Sequence, residues 1–275
     1  MKFFLVCVGV LSAGFARGQM VFPKALQEIP ALVVLGAHEG TGFFVNYSNR
    51  VFFVTAKHVL FDVNNPGMPL WSDRAQIYYH SRDSAMGEAD LSVSLQDMLN
   101  HQKLRAHPTH DVACFFMEKE TGTNHQISIY VEMHSTNRLT VIPDSMFQKF
   151  ENVSVGTDIY GFGYPTSIGI PETPQLNAHR ALARKGIIAD TDSAKRTLVL
   201  DLALYQGNSG GPVIECIEPA IGIQEYRLVG IAVQFIPFRE RWINDKFGYA
   251  NTTYSNSGYS IAEPVDSLLE ILWPE

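Results

Sequence analysis

The sequence predicts an all-β protein, and three observations support this fold class. Short runs of apolar, β-branched and aromatic residues recur along the chain and are separated by turn residues, as in a barrel or a sandwich. The run from Leu91 to Leu95 alternates apolar and polar residues, which is typical of a strand with one buried face. A clear helical pattern occurs only near the C-terminus, where apolar residues follow the i, i+3, i+4, i+7 spacing: Val265, Leu268, Leu269 and Leu272.

The first half of the chain alternates predicted strands and loops. The strands are expected at residues 31–36, 42–45, 51–56, 75–80, 89–95, 111–117, 126–132 and 138–142. The turn 46–50 joins the second and third strands into a hairpin, because Asn and Ser favour turns. The polar segments 62–75 and 99–110 are predicted as loops.

The second half repeats this pattern. One turn of helix is expected between Pro143 and Phe150, followed by strands at 157–162, 178–188, 197–204, 212–216, 227–235 and 259–262. Residues 237–257 are polar and aromatic without periodicity, which predicts a long exposed loop. Pro264 suits the first turn of the terminal helix, which is expected to extend to Leu272.

Composition and charge restrict the location and the partners. The formal net charge of −7 argues against nucleic acid as a partner, because phosphate binding requires a basic surface. Residues 1–18 have the features of a secretory signal: a charged start at Lys2, an apolar stretch, and small Ala16 and Gly18 before a cleavage site at Gln19. No later segment is long and apolar enough to cross a membrane. We therefore expect a secreted or periplasmic protein without stable membrane insertion.

Three cysteines are too few for a disulfide scaffold. Cys7 leaves with the signal. Cys114 and Cys216 lie in apolar, strand-like runs and could pair, but we favour two buried free thiols.

The stretch 206–213, Gln-Gly-Asn-Ser-Gly-Gly-Pro-Val, concentrates glycines around Ser209. Glycine permits a sharp turn that exposes the hydroxyl of Ser209 and directs the amides of Gly207 and Ser209 toward one point. Such converging N–H groups stabilise the oxyanion of acyl transfer. The alternative is a glycine-rich hairpin turn with an incidental serine.

A serine nucleophile requires a base and a group that orients the base. His58 follows the hydrophobic strand that ends in Thr55-Ala56, which places its ring at the rim of a barrel. Asp111 heads an apolar strand, and Asp90 heads an alternating one, so either carboxylate is a candidate for the acid. We favour Asp111, because the apolar strand after it suits burial beneath a histidine.

These stretches resemble the motifs of trypsin-like serine peptidases. Gly-Asn-Ser-Gly-Gly-Pro resembles the nucleophile loop, residues 55–58 the histidine motif and residues 111–113 the aspartate motif, in the family's order. The segments 40–45 and 258–264 also resemble family strands, and the Gly-Asn-Ser form is similar to bacterial members, including high-temperature-requirement proteases. The resemblance implies two six-stranded antiparallel β-barrels with the active site between them, followed by a C-terminal α-helix.

The resemblance also implies a division of the chain and of the roles. The expected units are a signal peptide (1–18), a barrel with His58 and Asp111 (19–142), a barrel with Ser209 (143–262) and the helix (263–275). The family's regulatory peptide-binding domain is not expected, because the sequence ends just past that helix. Asn208 stands where digestive members have Asp, so we expect no activation by a newly cut N-terminus.

Counting from the serine, the resemblance assigns the substrate pocket. Ala203 should form its floor and Gln206 its rim, while Val233, Gln234 and Phe235 should form the wall that pairs with an extended substrate. An Ala floor favours small or medium apolar side chains over Lys or Arg, which require a buried carboxylate.

The expected reaction is hydrolysis of protein or peptide substrates through an acyl-enzyme, with no metal or organic cofactor. His107 and His110 have a conceivable metal spacing, but no third ligand motif accompanies them. Two alternatives remain: an inactive peptidase-like binding or adhesion protein, and an esterase. The esterase is disfavoured because no strand–turn–helix surrounds the serine.

Overall fold

The computed structural model describes residues 24–80, 88–121, 124–127, 131–133, 139–165, 175, 177, 179–220 and 223–273. In these residues, the first half of the chain forms one sheet. Its strands are β1 (Pro30–Leu35), β2 (His38–Tyr47), β3 (Arg50–Thr55), β4 (Arg74–His80), β5 (Glu88–Ser94), β6 (Leu104–Ala106), β7 (Ala113–Thr121), β8 (Asn124–Ile127), β9 (Val131–Met133) and β10 (Val141–Pro143).

Six long strands of this sheet lie in the antiparallel order β7-β3-β2-β1-β4-β5. The short strands β6 and β8 pair with β7, β9 pairs with β5, and β10 runs parallel to β2. Apolar runs in β2, β3 and β7 are buried on both faces. They contribute an aromatic core of Phe43, Phe44, Phe52, Phe53 and Phe115.

The second half forms a closed, antiparallel, six-stranded barrel. Its strands are β11 (Asp158–Gly163), β12 (Leu182–Asp192), β13 (Thr197–Asp201), β14 (Pro212–Ala220), β15 (Ile223–Asn244) and β16 (Tyr249–Pro264). They close in the order β11-β12-β13-β16-β15-β14. Cys114 in β7 and Cys216 in β14 are buried free thiols in different sheets, and burial raises the pKa of both.

Helices are short in the described residues: α1 (Lys24–Gln27), α2 (Lys57–Leu60), α3 (Leu95–Asn100), α4 (Val265–Leu269), and the 3₁₀ turns Asp144–Met146 and Phe150–Asn152. None of them is long and apolar enough to span a membrane. Helix α4 packs the predicted apolar stripe into the core, where Val265 and Leu268 are fully buried. Trp273 beyond it contacts the ring of Phe52 and the guanidinium of Arg105.

The predicted fold class is confirmed, with three corrections to the elements. Residues 237–257 are not a loop, because β15 and β16 continue through them as a paired hairpin. The alternation of polar and apolar residues is missing there because both faces are exposed. Segment 99–110 contains the end of α3 and β6, and α4 ends at Leu269 rather than Leu272. The strand predicted from residue 178 begins at Leu182 as β12. The predicted signal, residues 128–130 of the predicted strand 126–132, and residues 138 and 178 lie outside the described residues.

Candidate active site

His58 and Asp111 form a direct pair at one end of the first sheet. Ala56 follows β3 and leads into the single turn of α2, which carries His58. Asp111 lies just before β7, the neighbour of β3. His58 Nδ1 lies 2.6 Å from Asp111 Oδ2, and the His58 backbone N–H donates to Oδ1 at 3.0 Å. The carboxylate thus contacts Nδ1, which leaves Nε2 on the opposite edge of the ring.

The environment of Asp111 favours its ionised form. Burial by itself raises the pKa of this carboxyl. Hydrogen bonds from the side chain and backbone of His58, together with the charges of His58 and Lys57, outweigh burial and bring the pKa below its ordinary value. An ionised carboxylate at Nδ1 holds the proton on that nitrogen, so that Nε2 is available as a base.

A second carboxylate supports the backbone of Asp111. Glu263, at the end of β16, accepts the Asp111 N–H at 3.1 Å through Oε1, and its Oε2 lies 2.7 Å from His110 Nδ1. Its side chain is only 9% exposed, so these contacts replace water. Glu263 lies in the noted segment 258–264, but its contact with Asp111 was not predicted, because 152 positions separate the two residues.

The loop around Ser209 depends on glycine at two positions. Gly207 has φ +91° and Gly210 has φ +87°, backbone values that residues other than glycine rarely adopt. A Cβ on Gly210 would also lie 2.0 Å from the carbonyl oxygen of Thr41, so no larger residue fits between the loop and β2. Asn208 is buried, and its Oδ1 accepts the N–H of Tyr205 within the same loop at 3.1 Å.

The loop leaves two backbone donors for a ligand. The amides of Asn208, Gly210 and Gly211 donate to backbone carbonyls. The amides of Gly207 and Ser209 differ from these three. Among the hydrogen bonds of the described residues, neither of them donates to a protein acceptor. The hydroxyl of Ser209 donates to the carbonyl of Val233 at 3.2 Å. Two adjacent donors beside a half-buried hydroxyl are suited to an oxyanion.

Thr41 connects this loop to the first sheet. Its N–H donates to the Ser209 carbonyl at 2.8 Å, and its hydroxyl donates to the Gly207 carbonyl at 2.6 Å. The hydroxyl also accepts the Tyr164 N–H at 3.0 Å, and Thr55 donates to the Thr41 carbonyl at 2.7 Å. Thr41 therefore fixes both residues whose amides are the candidate donors. The segment 40–45, which contains Thr41, was noted in the sequence, but the contacts of Thr41 with the serine loop were not predicted.

His58 and Ser209 line the same cavity of about 440 Å³, a size typical of ligand sites. Gln206 and Gly207 line it too. The rest of the wall was not predicted from the sequence. It comes from the β1–β2 turn and from the segment after α2, and includes His38, Phe61, Val63 and Trp71. The rings of His38 and Trp71 stack with centroids 3.9 Å apart, and Trp71 Nε1 donates to the His58 carbonyl at 2.9 Å.

The residues predicted for the substrate wall lie in β15, next to Ser209. Val233 is buried and accepts from the Ser209 hydroxyl, Gln234 is exposed and Phe235 is half-buried. Ala203, predicted as the pocket floor, is half-buried between Leu202 and Leu204. None of these four predicted residues lines the 440 Å³ cavity.

The competing acid and the conceivable metal site are engaged elsewhere. Asp90 lies in β5, and its carboxylate accepts a hydrogen bond from the side chain of Gln76. His107 Nε2 lies 2.9 Å from Glu270 Oε2, and its Nδ1 accepts the N–H of His110 at 2.9 Å. Within the described parts of the chain, no group of three or more potential ligands could hold a metal ion.

Comparison with known proteins identifies the family. The sequence profile of the trypsin-like peptidase domain matches residues 40–223. A search of curated protein sequences finds no match. Among solved structures, that of Deg5 is similar with 13% identity and a TM-score of 0.50, over 89% of this chain and 87% of that one.

Two longer proteins are also similar. The serine endoprotease from Yersinia pestis has 18% identity and a TM-score of 0.47 over 90% of this chain. The HtrA-type protease AlgW with tripeptide has 18% identity and a TM-score of 0.47 over 89%. This chain spans only 63% and 58% of their lengths. The profile match covers well over half of the chain, and the predicted trypsin-like class is confirmed: the chain belongs to the trypsin-like peptidase domain family.

Proposed function

We propose that the chain is a serine endopeptidase in which Ser209 is the nucleophile, His58 the general base and Asp111 the orienting acid. The observation that carries this proposal is the 2.6 Å contact between His58 Nδ1 and Asp111 Oδ2, at the edge of a cavity that His58 shares with Ser209. The family match supports the hydrolase class.

In the proposed mechanism, the Ser209 hydroxyl turns from the Val233 carbonyl to His58 Nε2 when substrate binds. Catalytic hydrogen bonds often form only in the complex. Nε2 takes the proton as Oγ bonds to the peptide carbonyl carbon, and Asp111 stabilises the imidazolium. Nε2 then gives the proton to the leaving amine as the C–N bond breaks. Water, activated by the same nitrogen, hydrolyses the acyl-enzyme.

We assign the stabilisation of the oxyanion in the tetrahedral intermediate to the amides of Gly207 and Ser209, which would donate hydrogen bonds to it. Loss of one such donor costs about 10²–10³ in kcat. Their lack of a protein acceptor among the described residues and the anchoring of both carbonyls by Thr41 support this role. The mechanism requires no metal or organic cofactor.

Substrate selection is assigned to both sides of Ser209. Ala203 and Gln206 would contact the side chain before the scissile bond, where small or medium apolar groups fit best, and Val233 to Phe235 would pair with the substrate backbone. The cavity beside His58 would hold the leaving group, because His58 must reach the departing nitrogen.

Location and domain limits are part of the proposal. Residues 1–18 are proposed to be removed as a signal between Gly18 and Gln19, which gives a secreted or periplasmic enzyme. The proposed barrels are residues 19–142 and 143–262, followed by the helix 263–275.

The test is digestion of a reduced, carboxymethylated protein, with the cut sites identified by mass spectrometry. The wild-type chain should produce discrete cuts, which Ser209→Ala should abolish. Ser193→Ala, in an exposed turn, is the matched control and should cut at the wild-type rate. Equal cutting by Ser209→Ala would reject the proposal. A folded wild-type chain that cuts nothing would favour the inactive binding protein.

A further inference from the structure

The hairpin of residues 237–256, here named the arm, extends beyond the barrel. Eight residue pairs, from Pro237–Asn256 to Asn244–Tyr249, join its two strands. Cross-strand partners share a face, so Phe238, Trp242 and Tyr249 lie on one face and Ile243 and Tyr254 on the other. With Phe247 near the tip, these six side chains are 53–70% exposed.

The exposed side chains of one face form a sizeable apolar patch. Aromatic side chains carry about 150–250 Å² each, so Phe238, Trp242 and Tyr249 together present on the order of 350 Å², within the roughly 300–600 Å² of the largest patches on monomers, which are often functional. A two-stranded ribbon is also only marginally stable in water unless it packs against something. The arm is therefore suited to hold a partner.

The base of the arm lies at the proposed active site. Strand β15 passes Val233, whose carbonyl accepts from Ser209 Oγ at 3.2 Å, and enters the arm four residues later. On the returning strand, the side chain of Asn256 donates to the carbonyl of Leu204, beside Ala203. The arm thus continues the wall proposed to pair with substrate.

The chemistry determines which part of a substrate would meet the arm. His58 must protonate the leaving amine, so the leaving group lies on the His58 side of Ser209. The acyl part then lies on the Val233 side, from which β15 runs into the arm. Residues upstream of the scissile bond would therefore extend toward Phe238 and Trp242. Eight strand residues reach roughly 26 Å, the length of about eight extended substrate residues.

We propose that the arm is a binding site for unfolded polypeptide substrates, specifically for aromatic and aliphatic side chains five to twelve residues upstream of the cleaved bond. This proposal rests on the proposed endopeptidase function. According to the arm proposal, the preferred substrates are extended polypeptides rich in apolar residues rather than short peptides.

The test uses three synthetic peptides built around one site that the protein cuts in an unfolded protein. The short peptide has four residues on each side of the bond. The second adds eight upstream residues that include two aromatic residues, and the third adds eight upstream Ser and Gly residues. We expect the aromatic extension to raise kcat/KM about 10-fold through KM, because buried aromatic anchors dominate interfaces. The Ser/Gly extension should change it less than 2-fold.

Variants connect this gain to the arm. With Trp242→Ala/Phe247→Ala, and with residues 239–254 replaced by an Asn-Gly turn, the ratio of kcat/KM between aromatic and short peptides should fall to about one. The turn suits the hairpin that remains after Phe238–Ser255. Ile223→Ala is the matched control: Ile223 is 55% exposed at the opposite end of β15 and should leave the ratio unchanged.

The outcomes separate the two proposals. If no peptide is cut and Ser209 does not react with a fluorophosphonate, the endopeptidase function fails. If Ser209 reacts and all three peptides are cut equally, the arm proposal alone is wrong. The arm proposal is also wrong if the arm variants keep the ratio but abolish concentration-dependent association in sedimentation velocity, because the arm would then bind a second copy of the chain.

Discussion

At the scale of single residues, Asp111 is held by two different parts of the chain, helix α2 and strand β16. Its side chain contacts His58 in α2, its N–H reaches Glu263 in β16, and its carbonyl accepts the N–H of Lys57 at 3.3 Å. These contacts orient the carboxylate toward the His58 ring. The acid is therefore positioned jointly by the first sheet and by the strand that closes the second.

This environment predicts a pH dependence of stability. The pKa of the Asp111 carboxyl is lower in the folded protein than in the unfolded chain, so its pairing stabilises the fold above its ordinary pKa of about 4. That contribution is lost as the pH falls through the lowered folded value. The difference in free energy of unfolding between wild type and Asp111→Asn should therefore shrink from pH 6 to pH 3 in urea titrations. A difference independent of pH would contradict this reading.

Thr41 gives a second prediction for a single residue. Thr41→Val removes the hydroxyl that anchors the Gly207 carbonyl and leaves a buried acceptor unpaired, which costs about 1–3 kcal/mol. If this anchoring positions the oxyanion donors, kcat should fall about 5- to 150-fold with little change in KM. Thr41→Ser keeps the hydroxyl and should recover most of the rate in steady-state assays. Equal kcat values for the two variants would show that the contact is only structural.

The sequence singled out His58, Asp111 and Ser209 as candidates because each lies within a short local motif. It did not locate Thr41 and Glu263 as partners, because their contacts join positions 166 and 152 residues apart. Such contacts follow from how the two sheets meet, and no local pattern records them. The cavity wall from His38 to Trp71 was missed for the same reason.

At the scale of elements, β2, β3 and β7 were recognised as strands because both of their faces are buried, so that their sequences are apolar runs. The arm was mistaken for a loop because neither of its faces is buried. Its β-branched and aromatic residues, such as Ile243 and Tyr254, were the signal available. Periodicity reports burial, so it fails where a strand is solvated on both sides.

Helix α4 provides a test at this scale. Leu268 is fully buried in the core that α4 shares with the first sheet. Leu268→Ala should lower the free energy of unfolding by about 2–5 kcal/mol, through lost burial and a residual cavity. The exposed Leu99 in α3 is the matched control, and Leu99→Ala should cost less than about 1 kcal/mol in the same urea titration. Equal losses would contradict the docking of α4.

At the scale of the whole molecule, the larger of two buried clusters is shared by the two sheets, while the smaller one lies within the second half of the chain. The larger cluster of buried residues joins Phe53 and Phe115 of the first sheet to Phe162, Ile214 and Ile231 of the barrel. Calorimetry should therefore show a single unfolding transition with equal calorimetric and van't Hoff enthalpies, since separating the halves would expose this shared cluster. Two separate transitions would show that the halves are independent.

The proposed site lies where these halves meet, with His58 and Asp111 on one and Ser209 on the other. The central claim is that this junction activates Ser209. The most direct measurement is the rate of fluorophosphonate labelling, with intact mass and peptide mapping, for the wild type, His58→Ala, Asp111→Asn and Asp90→Asn. We predict one label on Ser209, rates reduced about 10⁴-fold in the His58 and Asp111 variants, and a wild-type rate for Asp90→Asn. A folded wild-type protein that is never labelled, or labelling that is insensitive to His58 and Asp111, would contradict the claim.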